Sequence, residues 1–437
     1  MKVTILFPEN PNKGGFPLAP PVLEYLAALT LRHRPDCRVE LIDANRTKVD
    51  PDALDTDLLG ISLMTPSAPW GYRFADRVRA RGIPVVLGGI HPSALPDEAR
   101  AHADAVVVGE AESVWGEVLD DAVGKRLRPL YHGQRLALDD MPPPAIGTLR
   151  GHYPFRGVFT SRGCIHKCSF CSVRKFFGDT VRYRPIADVV RDVAQIPGRI
   201  YYNGDDNIWG SNPDRTIAMF KALAAGPKKW WFGQGDLLSI ERPKGDEMLK
   251  WAYRSGLRSV WVGYESDDEA TLKAYRARGK QGRNREATLK RIQDTGVEVV
   301  LFLILGGRQG RIEDFERAME LSDRLRLTVH PILLTPYPGT ELYEQYRPHL
   351  RDGLGWERYD GVHGVFEHDD PRMSAGEREE RILRLNRDLF TWGRIRKRVA
   401  QIDHKGFPVA HMVAFMKQMA MRRGFRRAYD AYCAAQG

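Results

Sequence analysis

The sequence predicts an α/β protein made of two successive βα series followed by a helical tail. Short apolar runs alternate with amphipathic segments from residue 1 to about 125. The alternation resumes from Phe155 to about Tyr346. Residues 347–437 then carry helical, charged periodicity only. At 437 residues the chain is long enough for two or three domains with sizeable cores.

In the first series, Val3 to Phe7, Val39 to Ile42, Leu58 to Leu63, Val85 to Leu87 and Ala105 to Val108 read as strands. Pro21 to His33, Trp70 to Arg81 and Ala111 to Ala122 have helical periodicity. Such alternation predicts a doubly wound, Rossmann-like parallel sheet over 1–125, which takes its ligand beyond the carboxyl ends of its strands. The candidate ligand loops are therefore Pro8 to Pro20, Ser62 to Ser67, Gly88 to Ser93 and Gly109 to Glu112. Residues 126–155, with Met141-Pro-Pro-Pro-Ala-Ile, read as a linker, because three consecutive prolines favour an extended, stiff path.

The second series, over 156–346, has strands expected at Gly157 to Ser161, Ile200 to Asn203, Trp230 to Gln234, Ser259 to Gly263, Val297 to Leu305 and Val329 to Thr335. Helical segments separate them, such as Ala187 to Gln195, Asn212 to Leu223 and Asn284 to Thr295. Six units of this kind predict a partial (β/α)6 barrel with its chemistry at the strand carboxyl ends. Those ends carry Asn203-Gly204-Asp205-Asp206-Asn207, Gln234-Gly235-Asp236, Gly263-Tyr264-Glu265-Ser266, Leu303-Ile304-Leu305-Gly306-Gly307 and Leu334 to Thr340. Taken singly, an Asp-Asp pair reads as a helix N-cap and Gly-Gly as a turn. Trp209, Trp230, Trp231 and Trp261 read equally as core or as the lining of a large apolar pocket. In the helical region 347–437, Ala375 to Ile402 is charged and Val409 to Ala435 amphipathic. The methionines at 412, 416, 419 and 421 suit adaptable core packing.

Between the first two strands of the second series, Phe159 to Phe177 sets Cys164, Cys168 and Cys171 in a C-x3-C-x2-C spacing. Three thiolates on one loop suit a soft metal centre and leave one coordination position for something else. A zinc site completed by His166 or Cys37, or three buried thiols, is the plainer alternative.

The cysteine spacing, the Thr-Ser-Arg-Gly-Cys approach and Phe170 before the last cysteine resemble the cluster motif of the radical S-adenosylmethionine (SAM) superfamily. That resemblance implies a [4Fe-4S] cluster on Cys164, Cys168 and Cys171, with SAM chelating the fourth iron. It implies that Phe170, Gly204, Asp205, Asp206, Gln234, Glu265, Ser266, Leu305, Gly306 and Tyr337 surround SAM. The acidic loop would meet its amino group, Glu265 and Ser266 the ribose, and Leu305 and Gly306 the adenine. Arg278 and Lys280 are candidates for the SAM carboxylate or for a solvated basic loop.

Leu87-Gly-Gly-Ile-His-Pro-Ser93 and Val107-Val-Gly-Glu-Ala-Glu112 are similar to the cobalamin-binding domain that precedes the core in a large subclass of that superfamily. Ser62, Leu63, Met64, Thr65, Gly88, Gly89, His91, Gly109 and Glu110 would then surround cobalamin. Glycines let backbone approach a flat corrin closely. The D-x-H-x-x-G signature is absent, and His91, lacking that context, reads as a hydrogen-bonding residue of its turn. A domain that has kept the fold and lost the cofactor stays open.

The resemblance implies a methyltransferase. A 5'-deoxyadenosyl radical would activate an unactivated carbon of a small-molecule biosynthetic intermediate, and methylcobalamin would deliver the methyl group. Cyclisation, ring contraction or skeletal rearrangement without methylation is the alternative within the class; a non-catalytic cobalamin- or metal-binding regulator is the alternative outside it. No catalytic acid or base stands out. The implied partners are a small-molecule substrate and an external electron donor of flavodoxin or ferredoxin type.

No segment approaches a membrane span, and five cysteines with three clustered suit a reducing cytoplasm. The net charge of +10 concentrates at Arg394 to Arg398 and Met421 to Arg427. Without a nucleic-acid-binding motif, it reads as a solvated arginine-rich face.

Overall fold

The computed structural model describes residues 1–11, 18–278, 282–308, 310–401 and 408–436, with the side chains of 401, 408–413 and 436 left out. Lys280, Ile402 and Met412's side chain lie outside this description.

Six parallel strands, β1 (Lys2–Phe7), β2 (Arg38–Asp43), β3 (Leu58–Ser62), β4 (Val85–Gly88), β5 (Ala105–Val108) and β6 (Leu130–His132), form the first sheet in the order β2-β1-β3-β4-β5-β6. Its two faces bury separate cores, one around Ile5, Leu23, Val118 and Trp115, the other around Leu6, Ile61, Phe74 and Val85. The order reverses between β1 and β3, and a crevice opens there at the strand carboxyl ends. Pro21 at the first turn and Arg32 and His33 in the last delimit the first helix, Pro21–His33, as propensity and the helix dipole dictate. Strand β6 falls in the stretch expected to be a linker. Its three residues are too short for a periodicity signal, and pairing with β5 alone defines it.

The second sheet is also parallel: β7 (Arg156–Val158), then, after the two-residue strands β8 (Ser161–Arg162) and β9 (Arg182–Tyr183), β10 (Ile200–Asn203), β11 (Trp230–Gly235), β12 (Leu257–Glu265), β13 (Glu298–Leu305) and β14 (Thr328–Leu333). Their order is β14-β13-β12-β11-β10-β7. The six-unit series is therefore present, with helices over the face that carries Tyr201, Trp231, Val260 and Leu301. Asn212, Asp268 and Asn284 cap the helices Pro213–Ala225, Glu269–Ala274 and Arg285–Asp294 by accepting from backbone N–H groups.

The expected strand Gly157 to Ser161 is broken. β7 stops at Val158, and Ser161–Arg162 leaves the sheet to pair antiparallel with Arg182–Tyr183. The reason is Asp205, whose carboxylate accepts the N–H groups of Thr160 and Ser161 at 2.6 and 3.0 Å.

The C-terminal helix splits into Ala375–Leu389 and Trp392–Gln401, followed by Pro408–Gln436. Arginines take the carbonyls at the break: Arg394 and Arg398 donate to Asp388 and Leu389, and Arg422 to Phe390. The expectation of a wholly solvated arginine face is therefore corrected. Arg398 is buried, which pulls its pKa down to about 10, and Arg394 pairs with Asp323, while Arg423, Arg426 and Arg427 are exposed. Among the described residues no helix is long and apolar enough to cross a membrane.

Candidate cofactor and active site

The cysteine loop is held from three sides. Asp206 accepts the Gly163 N–H at 2.9 Å, Ser169 N donates to the Tyr275 carbonyl at 2.9 Å, and Leu342 N donates to the Ser169 carbonyl at 2.9 Å. Cys168 is buried, Cys164 and Cys171 are half-buried, and the helix Ser172–Phe177 starts directly after Cys171. Among the described residues no three His, Cys, Asp or Glu side chains converge to hold a single ion. Of the two residues that could complete a zinc site, Cys37 packs in the first sheet's core, away from the loop, and His166 Nε2 lies 3.3 Å from the Asp236 carboxylate. Thiolates spaced along a loop suit a cluster in which each binds a different iron.

Phe170, Cys171 and Tyr337 pack on a small apolar cluster that contains Cys168, Tyr275, Ile304 and Leu334. Phe170 and Tyr275 meet edge to face at 5.8 Å, and burial pushes the Tyr337 phenol up to about 12. Gln234 is exposed at the top of β11, and a bulge in β12 turns Glu265 into a positive φ of 62°. Phe170 and Tyr337 thus share one apolar cluster with Cys168, and Gln234 and Glu265 stand at the carboxyl ends of β11 and β12.

Other expected contacts serve the fold instead. Asp205 is fully inside, bonded to both the backbone and the hydroxyls of Thr160 and Ser161. Burial raises its pKa, and those four donors offset part of the rise. Gly204 donates to the Val158 carbonyl. Leu305 packs against the helix layer, and Ile304, on the opposite face of the strand, stands beside Cys168. Ser266 accepts the Asp268 N–H within its own turn, and Gly306 accepts from Arg378 of the C-terminal helix. Arg278 pairs with Glu269 at 3.0 Å. Asp236, expected in the mouth, is buried against Asn207, Ser239 and His166. Burial alone would raise its pKa, but His166 and the Ser239 donors hold it below the carboxylate range. Trp209 and Trp231 are core residues.

Above the first sheet's switch point lies a cavity of about 1180 Å³, large even among small-molecule sites. Ser62, Leu63, Met64, Gly88, Gly89, Gly109 and Glu110 line it from one side. Phe159, Arg162, Phe176, Phe177 and Tyr202 line it from the other. Gly89 has φ 102°, and a Cβ there would lie 2.6 Å from the Leu63 carbonyl, so only glycine lets the β3 and β4 loops close up beneath the cavity.

Thr65 and His91 do not reach it. His91 is fully buried, with Nδ1 3.3 Å from Thr65 and Nε2 3.2 Å from Glu98, while Glu98 also accepts from Trp356 at 3.0 Å. The carboxylate of Glu110 is likewise turned away, bonded to Arg162 at 2.7 Å and to Arg182. Among the described lining residues there is no histidine, so a bound corrin would receive no protein imidazole from these walls. The volume, the flat glycine floor and the hydroxyl and backbone groups around it fit that cofactor.

Reading the sequence missed Arg162 and the Phe176–Phe177 pair as walls of this cavity; their position directly flanking the cysteine run was the available signal. Arg162 also donates to Glu112 at 2.5 Å. Burial would raise the Glu112 pKa, but the guanidinium holds it below the usual range.

The family profile described as "B12 binding domain" matches residues 13–119, and that described as "Radical SAM superfamily" matches residues 158–322. The fold and site therefore define a protein equipped for a corrin, an iron-sulfur cluster and SAM. The chain belongs to the radical SAM superfamily, in the subclass with an amino-terminal B12-binding domain. It is similar to two proteins of Chlorobaculum tepidum. Bacteriochlorophyllide d C-8(2)-methyltransferase is 27% identical over 432 residues, covering 92% of this chain and 93% of the relative. Bacteriochlorophyllide d C-12(1)-methyltransferase is 27% identical over 359 residues, covering 78% and 76%. In fold it is similar to the cobalamin-dependent SAM radical enzyme OxsB, solved with aqua-cobalamin and SAM, with TM-score 0.72 at 14% identity over 97% of this chain and 71% of that one.

Proposed function

We propose that this chain is a cobalamin-dependent radical SAM methyltransferase that adds a methyl group to an unactivated carbon of a large, apolar, polycyclic biosynthetic intermediate. The observation that carries the reading is the shared cavity. Loops of the corrin-type sheet and residues flanking the cysteine loop line one large cavity, which supports a substrate placed between the two cofactors. When bound, the cluster with SAM supplies the hydrogen-abstracting radical and the corrin carries the methyl group.

The chain's own residues bind and orient. Cys164, Cys168 and Cys171 hold the cluster; Phe170, Ile304, Tyr337 and Asp206 surround SAM; Met64, Gly88 and Gly89 floor the corrin. Phe159, Phe176 and Phe177 exclude water from the space between.

The substrate class follows from the inner face of the second sheet. Phe155, Phe232, Trp261, Phe302 and His330 form a continuous belt with ring centroids 5.5, 5.2, 6.0 and 5.1 Å apart, and Tyr202 stacks on Phe232 at 6.1 Å. Tyr202 of this belt lines the cavity, while at the far end His330 meets Phe425 of the C-terminal helix at 5.5 Å. The Tyr202 end of the belt offers a π-face to a flat conjugated or polycyclic ligand in the cavity, the kind of molecule named for the bacteriochlorophyllide relatives. An external one-electron donor completes the cycle.

The test is anaerobic reconstitution with iron, sulfide and hydroxocobalamin, then turnover of chlorophyllide-type and other polycyclic acceptors with methyl-deuterated SAM. A product heavier by one deuterated methyl group supports the reading. Deuterium-free rearranged product, or four irons with no cobalt retained, rejects it.

A further inference from the structure

We propose that the basic surface around the helix Ser172–Phe177 is the docking site of an acidic one-electron carrier protein that reduces the cluster; this rests on the assignment of the cluster to Cys164, Cys168 and Cys171. Some exposed cations are neutralised, as in Arg77–Asp52 and Lys221–Glu247, and others, such as Arg73 and Lys250, pair with no carboxylate among the described residues; what sets this surface apart is that its unpaired cations gather beside the cysteine loop. Lys167 and Lys175 are exposed and form no ion pair among the described residues. Arg135 is exposed and bonds only to the carbonyls of Lys175 and Phe176, at 2.9 and 3.1 Å. Two carboxylates stand here, Asp179 and Glu341: Arg174 pairs with both, Glu341 also pairs with Arg276, and Asp179 lies within the fields of Lys167 and Arg135. Lys167, Lys175 and Arg135 are left without a carboxylate of their own among the described residues.

The patch surrounds a depression of about 460 Å³ with an apolar centre, Ile90, Ala94, Val108, Phe176 and Pro338, and a rim of His132, Gln134, Arg135 and Lys175. An apolar centre within a charged rim is the anatomy of a transient protein interface steered by charge.

Position selects the occupant. Lys175 stands four residues beyond Cys171 on one helix, about 6 Å along its axis, and Ser172, the first residue after the cluster cysteine, lines the depression itself. Electron transfer weakens steeply with distance, so a donor seated here has a short path into the cluster. In the step one electron leaves the reduced carrier and enters the oxidised cluster, with no bond or proton moved. Nucleic acid would meet the same cations but has no use for an apolar depression.

The experiment uses the reconstituted full chain with SAM. It compares 5'-deoxyadenosine formation driven by flavodoxin hydroquinone with that driven by dithionite, at low and high salt. The variants are Lys175→Glu with His132→Glu, whose side chains form no bond within the described structure, and separately Arg135→Glu. We expect the flavodoxin-driven rate to fall at least tenfold in the double variant and in 300 mM salt. The dithionite-driven rate should stay within twofold. A flavodoxin-driven rate equal to wild type overturns the proposal, as does an equal loss with both reductants. Suppression of the wild-type rate by polynucleotide at sub-stoichiometric carrier assigns the patch to nucleic acid instead. Wild-type protein inert even with dithionite condemns the cluster assignment, not the docking surface.

Discussion

Arg162→Gln withdraws a cation from two carboxylates of the other sheet unit. Arg162's side chain is 10% exposed, Glu110's 2% and Glu112's 15%, so solvent screens these pairs little. Removing one partner of a buried pair strands the other charge and costs about 3–5 kcal/mol. Glu110 keeps Arg182 in the variant, so the penalty rests chiefly on Glu112 and falls at the lower end, about 3 kcal/mol. For a unit of this size each kcal/mol lowers Tm by about 2–4 °C, giving a drop of roughly 6–12 °C.

The assay is calorimetry of the apo-protein at pH 7, with cobalamin retention measured after desalting. Adding Glu112→Gln to Arg162→Gln should recover at least about half of the loss, because the stranded charge is gone. The pH dependence has a definite sign. Glu112's pKa is depressed in the fold, so its contribution is present above the ordinary glutamate value and disappears as pH falls through the lower folded value. The gap between wild type and variant should therefore narrow below about pH 4. A variant melting within about 2 °C of wild type at pH 7 would refute the claim that this network ties the two units together.

Alanine at Cys164, Cys168 or Cys171 should abolish SAM cleavage and lower bound iron; full activity in any one of them would remove the cluster assignment. Gly89→Val should reduce cobalamin retention at unchanged iron content, because its Cβ meets the Leu63 backbone at positive φ. Gly88→Ala, with 3.8 Å to its nearest neighbour, should retain cobalamin like wild type, and the reverse pattern would contradict the floor described for the cavity. Burial raises Asp206 to about 6, so SAM binding that needs its carboxylate should weaken about tenfold per pH unit below 6. The same raised pKa lets the native state take up a proton before the unfolded chain does, so this group favours folding more as pH falls from 7 through 6. Isothermal titration of SAM between pH 5 and 8 checks the first point, and an unchanged affinity, or a slope that survives Asp206→Asn, argues against it.

The sequence by itself determined the two βα series, the three cysteines and the loops at strand ends. Each is written in local periodicity or short spacing: apolar alternation, Asn or Asp caps, C-x3-C-x2-C. What it left undecided was which of two adjacent residues faces inward and which distant group satisfies a charge. Asp205 and Asp206 look equivalent in sequence, yet Asp205 turns into Thr160 and Ser161 while Asp206 holds Gly163. Leu305 and Ile304 exchange roles because alternate residues of a strand point to opposite faces, and the face is set by where the helices pack. Glu110 and His91 sit in loops that resemble a corrin site, but Glu110 is taken by Arg162, 52 residues along the chain, and His91 by Glu98, which is itself held by Trp356, 258 residues beyond it. Desolvation makes those long-range pairings decisive: a buried carboxylate or imidazole must be satisfied by whatever the tertiary fold brings within 3 Å. The tertiary structure alone therefore decided which expected ligand residues line the cavity and which hold its walls in place.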